Sequence, residues 1–119
     1  MKIHAERKFD AAHLLPGYDG PCGRLHGHTW RVVVEVEGDI DPNTNMVIDF
    51  RIIKKVIDQL DHRYLNDIIE YPSAENLVKY FLKSFENLGS NIQKVSVRVY
   101  ESEDCYAEDH IVLRGSDDS

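Results

Sequence analysis

Two cysteines in a chain of 119 residues are too few for a disulfide framework. That scarcity suits a reducing compartment, and a cytoplasmic location is expected. Long apolar runs are missing as well. None approaches the roughly 20 residues that a membrane-spanning helix needs, and the N-terminal segment lacks the hydrophobic stretch of a signal peptide. No membrane partner is therefore expected. Positive charge is also in short supply, with 14 Lys and Arg against 21 Asp and Glu and a net charge of −7. Nucleic-acid binding depends on neutralising phosphates, so that class is excluded. Internal repeats and low-complexity segments are absent too. The expectation is a single domain over residues 1–114 followed by a short acidic tail at 115–119.

The most informative stretch is Cys22-Gly23-Arg24-Leu25-His26-Gly27-His28, which runs into the alternating segment Thr29–Glu37. Residues two apart in a strand share a face. His26 and His28 therefore stand on one side, and Trp30, Val32, Val34 and Val36 continue it. A third histidine joins them through the first strand. There Ile3, Ala5, Phe9, Ala11 and His13 fall on one face, with Arg7 the exception. Pairing the two strands antiparallel through the turn-rich connection Leu14–Leu25 brings His13 close to His28. Three imidazoles without an obligatory fourth protein ligand describe a catalytic Zn2+ site, with one position open to water or substrate. The alternative is that Cys22 closes the tetrahedron and makes the zinc structural, which the Cys-x3-His-x-His spacing allows.

The rest of the chain reads as β-β-α-α-β-β. Asp49 suits a helix N-cap, and Phe50, Ile53, Ile57 and Leu60 recur at helical spacing. Ser73 caps a second helix whose apolar stripe is Leu77, Tyr80, Phe81, Phe85 and Leu88, ended by Gly89. Alternation returns over Asn91–Glu101, and a weaker strand covers about Tyr106 to Leu113. The expected class is α+β, a four-stranded antiparallel sheet with both helices on one face. Two features do not fit a plain scaffold. Glu101 continues the apolar face of Val95, Val97 and Val99, where a carboxylate is costly unless paired or at a strand end that reaches solvent. Asp61-His62 follows the first helix, where it is either a helix-end pair or a proton relay.

Taken together, Phe9-Asp10-Ala11-Ala12-His13, Cys22-x3-His26-Gly27-His28, Met46-Val47-Ile48-Asp49-Phe50, Leu60-Asp61-His62-Arg63-Tyr64-Leu65-Asn66, Pro72-Ser73-Ala74-Glu75-Asn76 and Tyr100-Glu101-Ser102 resemble the 6-pyruvoyltetrahydropterin synthase family. The three residues between thiol and first histidine resemble its 6-carboxytetrahydropterin synthase branch. Ser73, Ser102 and Asn45 depart from the residues common in the family, each with little chemical change. The resemblance implies a tunnelling-type fold, in which trimers join their sheets into a barrel and two trimers stack as a homohexamer, with active sites at subunit interfaces. It implies a pterin substrate, 7,8-dihydroneopterin triphosphate, converted to 6-carboxy-5,6,7,8-tetrahydropterin with release of triphosphate and acetaldehyde, an early step toward the 7-deazaguanine bases of tRNA.

The residues fit that chemistry in named roles. His13, His26 and His28 are the expected zinc ligands, Cys22 the base, and His62 a second proton relay oriented by Asp61. Glu101 accepts the adjacent ring N–H and amino group of the pterin. An acidic chain must still hold a triphosphate, and Arg24, Lys54, Lys55 and Arg63 are the available cations. The competing activities are triphosphate elimination to the 6-pyruvoyl product and, from another class, a non-enzymatic structural-zinc module.

Overall fold

A computed structural model describes residues 1–113; the acidic tail expected at 115–119 lies outside the described residues. The alternating N-terminal sequence forms strand β1, Lys2–His13, and the histidine-led segment forms β2, His26–Gly38. They pair antiparallel along their whole length, from Lys2 opposite Glu37 to His13 opposite His26. Two later strands, β4 (Ile92–Ser102) and β5 (Cys105–Val112), form a hairpin, and β4 pairs antiparallel with β2. Between them the chain makes helix α1, Phe50–Asp58, a two-residue strand β3, Arg63–Tyr64, and helix α2, Ala74–Ser84.

The sheet corrects the expected architecture in one respect. Among the described residues it has five strands in the order β3-β1-β2-β4-β5, and β3 runs parallel to β1, so the sheet is mixed rather than four-stranded and antiparallel. A two-residue strand carries no periodicity that a sequence pattern could show. The α+β class stands.

One face of the sheet and both helices form a single core. Trp30, Val32, Val34 and Val36 of β2, Val95, Val97 and Val99 of β4, Ile53 and Ile57 of α1 and Leu77 and Phe81 of α2 are fully buried in it. Removing each such large side chain from water contributes roughly 1.5–3 kcal/mol. Phe9 stacks on Trp30 with ring centroids 6.2 Å apart and meets the edge of Phe81 at 6.4 Å, which ties β1 and β2 to α2. Asp49 accepts a hydrogen bond from the Arg51 amide and Ser73 from the Asn76 amide, so both expected N-caps form. The helices stop earlier than expected. Leu60 is buried in the turn beyond α1, and α2 ends on Phe85, with Gly89 (φ 150°) in the following loop.

The topology gathers chemistry at one end of the sheet. The C-terminal end of β1, the N-terminal end of β2, the short β3 and the C-terminal end of β4 meet there. No helix among the described residues is long and apolar enough to cross a membrane.

Candidate metal centre and active site

His13 is wholly buried, and His26 and His28 are half-buried beside it. Antiparallel pairing sets His13 opposite His26 and Ala11 opposite His28, and a ligand nitrogen from each of the three rings lies within 4.8 Å of the others. Two carbonyls orient the rings. His13 donates from Nδ1 to the Pro72 carbonyl at 2.7 Å, and His26 donates from Nδ1 to the Arg24 carbonyl at 2.6 Å. A carbonyl oxygen only accepts, so in the neutral tautomer each Nε2 carries a lone pair. Those two Nε2 atoms face each other at 3.0 Å. His28 Nε2 is buried with no hydrogen-bond partner among the described residues.

Two facing lone pairs and a third buried, unpartnered nitrogen are unfavourable without a cation among them. Tetrahedral zinc, with Zn–N bonds of about 2.0–2.1 Å, would space its nitrogens roughly 3.3 Å apart. Backbone carbonyls on Nδ1 are the usual support for metal-binding imidazoles. The donor set therefore fits zinc. Burial, the largest influence, lowers the His13 and His28 pKa values from 6.5 and favours the neutral, metal-binding form; the charge of Glu101 opposes it only in part.

Glu101 reaches this centre. Its carboxylate lies 3.8 Å from His13 Nε2, about one-third exposed, at the edge of a recess of about 270 Å³ beside Ser73 and Glu75 at the start of α2. The carboxylate that was out of place on an apolar face thus stands at the end of its strand, between the histidine cluster and open space.

A second cluster joins Asp61 and His62 to Asp10. Asp61 pairs with His62 Nδ1 at 3.0 Å and accepts the Asp10 amide at 2.9 Å. The Asp10 amide, and next His62, hold the Asp61 carboxyl below its ordinary pKa of 3.8. His62 has φ 59°, a left-handed conformation uncommon for residues other than glycine and asparagine, and its amide donates to the Asp10 carbonyl at 2.7 Å. His62 and His28 line one cavity of about 600 Å³, shared with Asp10, Thr29, Arg63 and Tyr64. Cys22 occupies a 3-10 turn, Pro21–Gly23, half-buried and with a free thiol. It belongs to neither group of convergent metal-binding atoms among the described residues.

A family model described as 6-pyruvoyl tetrahydropterin synthase matches residues 2–110. The chain belongs to the 6-pyruvoyl tetrahydropterin synthase family. A putative 6-carboxy-5,6,7,8-tetrahydropterin synthase of Archaeoglobus fulgidus is 39% identical over 112 residues, covering 91% of this chain and 94% of that protein. A dihydroneopterin monophosphate aldolase of Pyrococcus furiosus is 35% identical over 105 residues, covering 84% and 89%. Among solved structures, the 6-pyruvoyl tetrahydropterin synthase of Caenorhabditis elegans superposes with a TM-score of 0.70 at 26% identity, covering 91% of this chain and 93% of that one.

Within this synthase fold, the structure brings together His13, His26, His28 and Glu101, and separately Asp61 and His62. Cys22 Sγ is not among the atoms that converge in either cluster. Sequence reasoning missed the residues that hold these groups in place. Asp10 anchors Asp61 and His62, Thr29 donates to Asp10 at 2.6 Å, and the Asn66 amide group bonds both backbone atoms of Leu14, just after His13. The one available signal was that Asp10, Thr29 and Asn66 adjoin the histidine and Asp61-His62 motifs.

Proposed function

We propose that this chain is a zinc-dependent carbon–carbon lyase that converts 7,8-dihydroneopterin triphosphate and one water to 6-carboxy-5,6,7,8-tetrahydropterin, releasing triphosphate and acetaldehyde. The product would enter 7-deazaguanine synthesis for tRNA, in the cytoplasm. The observation that carries the reading is the convergence of three imidazole nitrogens, with His28 Nε2 buried and unpartnered. Relatives named 6-carboxy-5,6,7,8-tetrahydropterin synthase support the choice of reaction.

His13, His26 and His28 hold the metal, and the carbonyls of Pro72 and Arg24 keep two of the rings aimed. Bound there, zinc supplies Lewis-acid polarisation of a side-chain oxygen of the substrate. Glu101 accepts the ring N–H and the amino group of the pterin side by side, which sets the reacting side chain toward the histidines. Cys22 takes a proton from a side-chain carbon as thiolate. Asp61 accepts from His62 Nδ1–H and so leaves His62 Nε2 to take up and return a proton. The His62 side chain is 79% exposed, and Cys22 is in neither cluster of convergent atoms among the described residues. A site completed at a subunit interface of a homohexamer accounts for both.

The test is to incubate zinc-loaded protein with 7,8-dihydroneopterin triphosphate and identify the product by mass. The 6-carboxy product with acetaldehyde is expected. A 6-pyruvoyl product would move the chain to the activity that names its family. An inert triphosphate beside a cleaved monophosphate would move it toward the activity named for the Pyrococcus furiosus relative. Loss of zinc on alkylating Cys22, with no turnover before it, would indicate a structural-zinc module.

A further inference from the structure

Four consecutive residues, His13–Pro16, carry the chain out of β1, and each is tied to a residue distant in sequence or across the loop. His13 donates from Nδ1 to the Pro72 carbonyl, and the Asn66 side chain bonds both the amide and the carbonyl of Leu14. The Leu15 amide donates to the Cys22 carbonyl at 2.9 Å, and the Pro16 carbonyl accepts the Tyr71 hydroxyl. Two of these partners, Tyr71 and Pro72, are neighbours. Pro72 aims a metal-binding imidazole, whereas Tyr71 reaches the loop that carries Cys22.

That loop closes on itself. The Leu15–Cys22 bond joins its two ends, the Tyr18 amide donates to the Leu15 carbonyl at 3.2 Å, and the Gly23 and Arg24 amides donate to the Gly20 and Pro21 carbonyls at 3.0 and 3.1 Å. Gly23 lies so close to the Tyr18 carbonyl that a Cβ would not fit there. A compact loop tied by its own contacts moves as a unit, so holding Pro16 also holds Cys22. The other end of the tether is firm. The Tyr71 carbonyl accepts the Ser73 amide at 2.9 Å and the Asn76 side-chain amide at 2.8 Å, which fixes it to the first turn of α2. Tyr71 is itself exposed, so its ring buries little and its hydroxyl makes the connection.

We propose that Tyr71 is a positioning residue for Cys22: its hydroxyl fastens the loop Leu15–Cys22 to the same short segment whose Pro72 carbonyl aims His13, so that one segment sets both the thiol and the metal-binding ring. The use of the thiol as base rests on the lyase reading; the tether does not.

The experiment compares zinc-loaded unaltered protein with Tyr71→Phe and Tyr18→Phe. Tyr18 is an exposed tyrosine of the same loop, and its hydroxyl makes no hydrogen bond among the described residues, so it controls for loss of a hydroxyl. Alkylation of Cys22 by iodoacetamide is followed by peptide mass, which counts exposed Cys105 separately. Zinc content, kcat and KM are read on the same samples. A half-buried thiol reacts in proportion to the open population of its loop, so losing one hydrogen bond should speed Cys22 alkylation about 3- to 10-fold in Tyr71→Phe. Its zinc content should not change, because the Pro72 carbonyl remains. Its kcat should fall about 10-fold at unchanged KM, since a misplaced base is missed only in the transition state; a merely structural role would not separate the two. Tyr18→Phe should behave as the unaltered chain does. Alkylation unchanged in Tyr71→Phe, equal acceleration in Tyr18→Phe, or zinc loss from Tyr71→Phe overturns the assignment. Faster alkylation with turnover unchanged leaves the tether standing and removes Cys22 as the base. If the unaltered protein does not turn over the pterin at all, the lyase reading fails and the alkylation rates still decide the tether.

Discussion

His13 depends on residues distant in sequence at each of its atoms. Its place opposite His26 comes from strand register, its Nδ1 partner comes from Pro72, and its burial comes from the core. The alternation of apolar residues made the strand face and the three-histidine set legible. It could not show the Pro72 carbonyl, because nothing in a local pattern reports a backbone atom 59 positions away. Two expected outcomes belong at this scale. Cys22→Ala should keep fold and zinc, since the three imidazoles converge without it, yet lose turnover by about 10²-fold or more. Zinc loss in that variant would make Cys22 a ligand, and a zinc-replete, active variant would shift the base to His62. The second outcome concerns metal-free protein. Folding lowers the pKa of His13 and His28 below 6.5, so between the lowered values and 6.5 the unfolded chain binds more protons. Their stabilising contribution is complete above about pH 6.5 and is lost as pH falls toward the lowered values. His4, raised above 6.5 by Glu6 and then Glu35, acts in the opposite sense, so its contribution disappears as pH rises. Denaturant unfolding of metal-stripped His4→Ala protein should therefore show stability declining from about pH 7 to about pH 5.5. A flat profile would contradict the burial of the two rings.

At the scale of elements, α2 links capping to the site. The Ser73 hydroxyl accepts the Asn76 amide at 3.2 Å, and the residue before it, Pro72, supplies the carbonyl that orients His13. Ser73→Ala should cost about 1 kcal/mol, read as a fall of about 4 °C in Tm. It should also reduce zinc affinity, because the anchor of His13 frays with the first turn; unaltered zinc affinity at lowered Tm would confine the cap to stability. Both caps and most of both apolar stripes were legible, since Asp49, Ser73, Ile53, Ile57, Leu77 and Phe81 sit at positions that local chemistry selects, whereas Phe50, expected in the first stripe, is exposed at the start of α1. Strand β3 was not. Arg63-Tyr64 becomes a strand because the Asp10 backbone and carboxylate-anchored Asp61 hold the chain against β1. That is a tertiary cause without a local signature.

For the whole molecule, the sheet leaves two edges open among the described residues. Strand β5 is eight residues long, with Tyr106 and Val112 exposed, and β1 is covered only at Ala11 and Ala12 by β3. Such edges invite pairing with another chain, and closing them into a barrel with other copies removes the liability. The expected assembly is a homohexamer, and sedimentation at micromolar concentration checks it: a monomer would contradict the shared-site reading, which also uses the exposure of His62. The central claim is that this histidine cluster, carrying zinc, supports carbon–carbon cleavage. Acetaldehyde release from 7,8-dihydroneopterin triphosphate tests it most directly, followed in zinc-loaded, metal-stripped and zinc-restored protein. The account predicts acetaldehyde in step with substrate loss, its disappearance on stripping and its return with zinc. Substrate consumed by zinc-replete protein without acetaldehyde, or release indifferent to the metal, would contradict it.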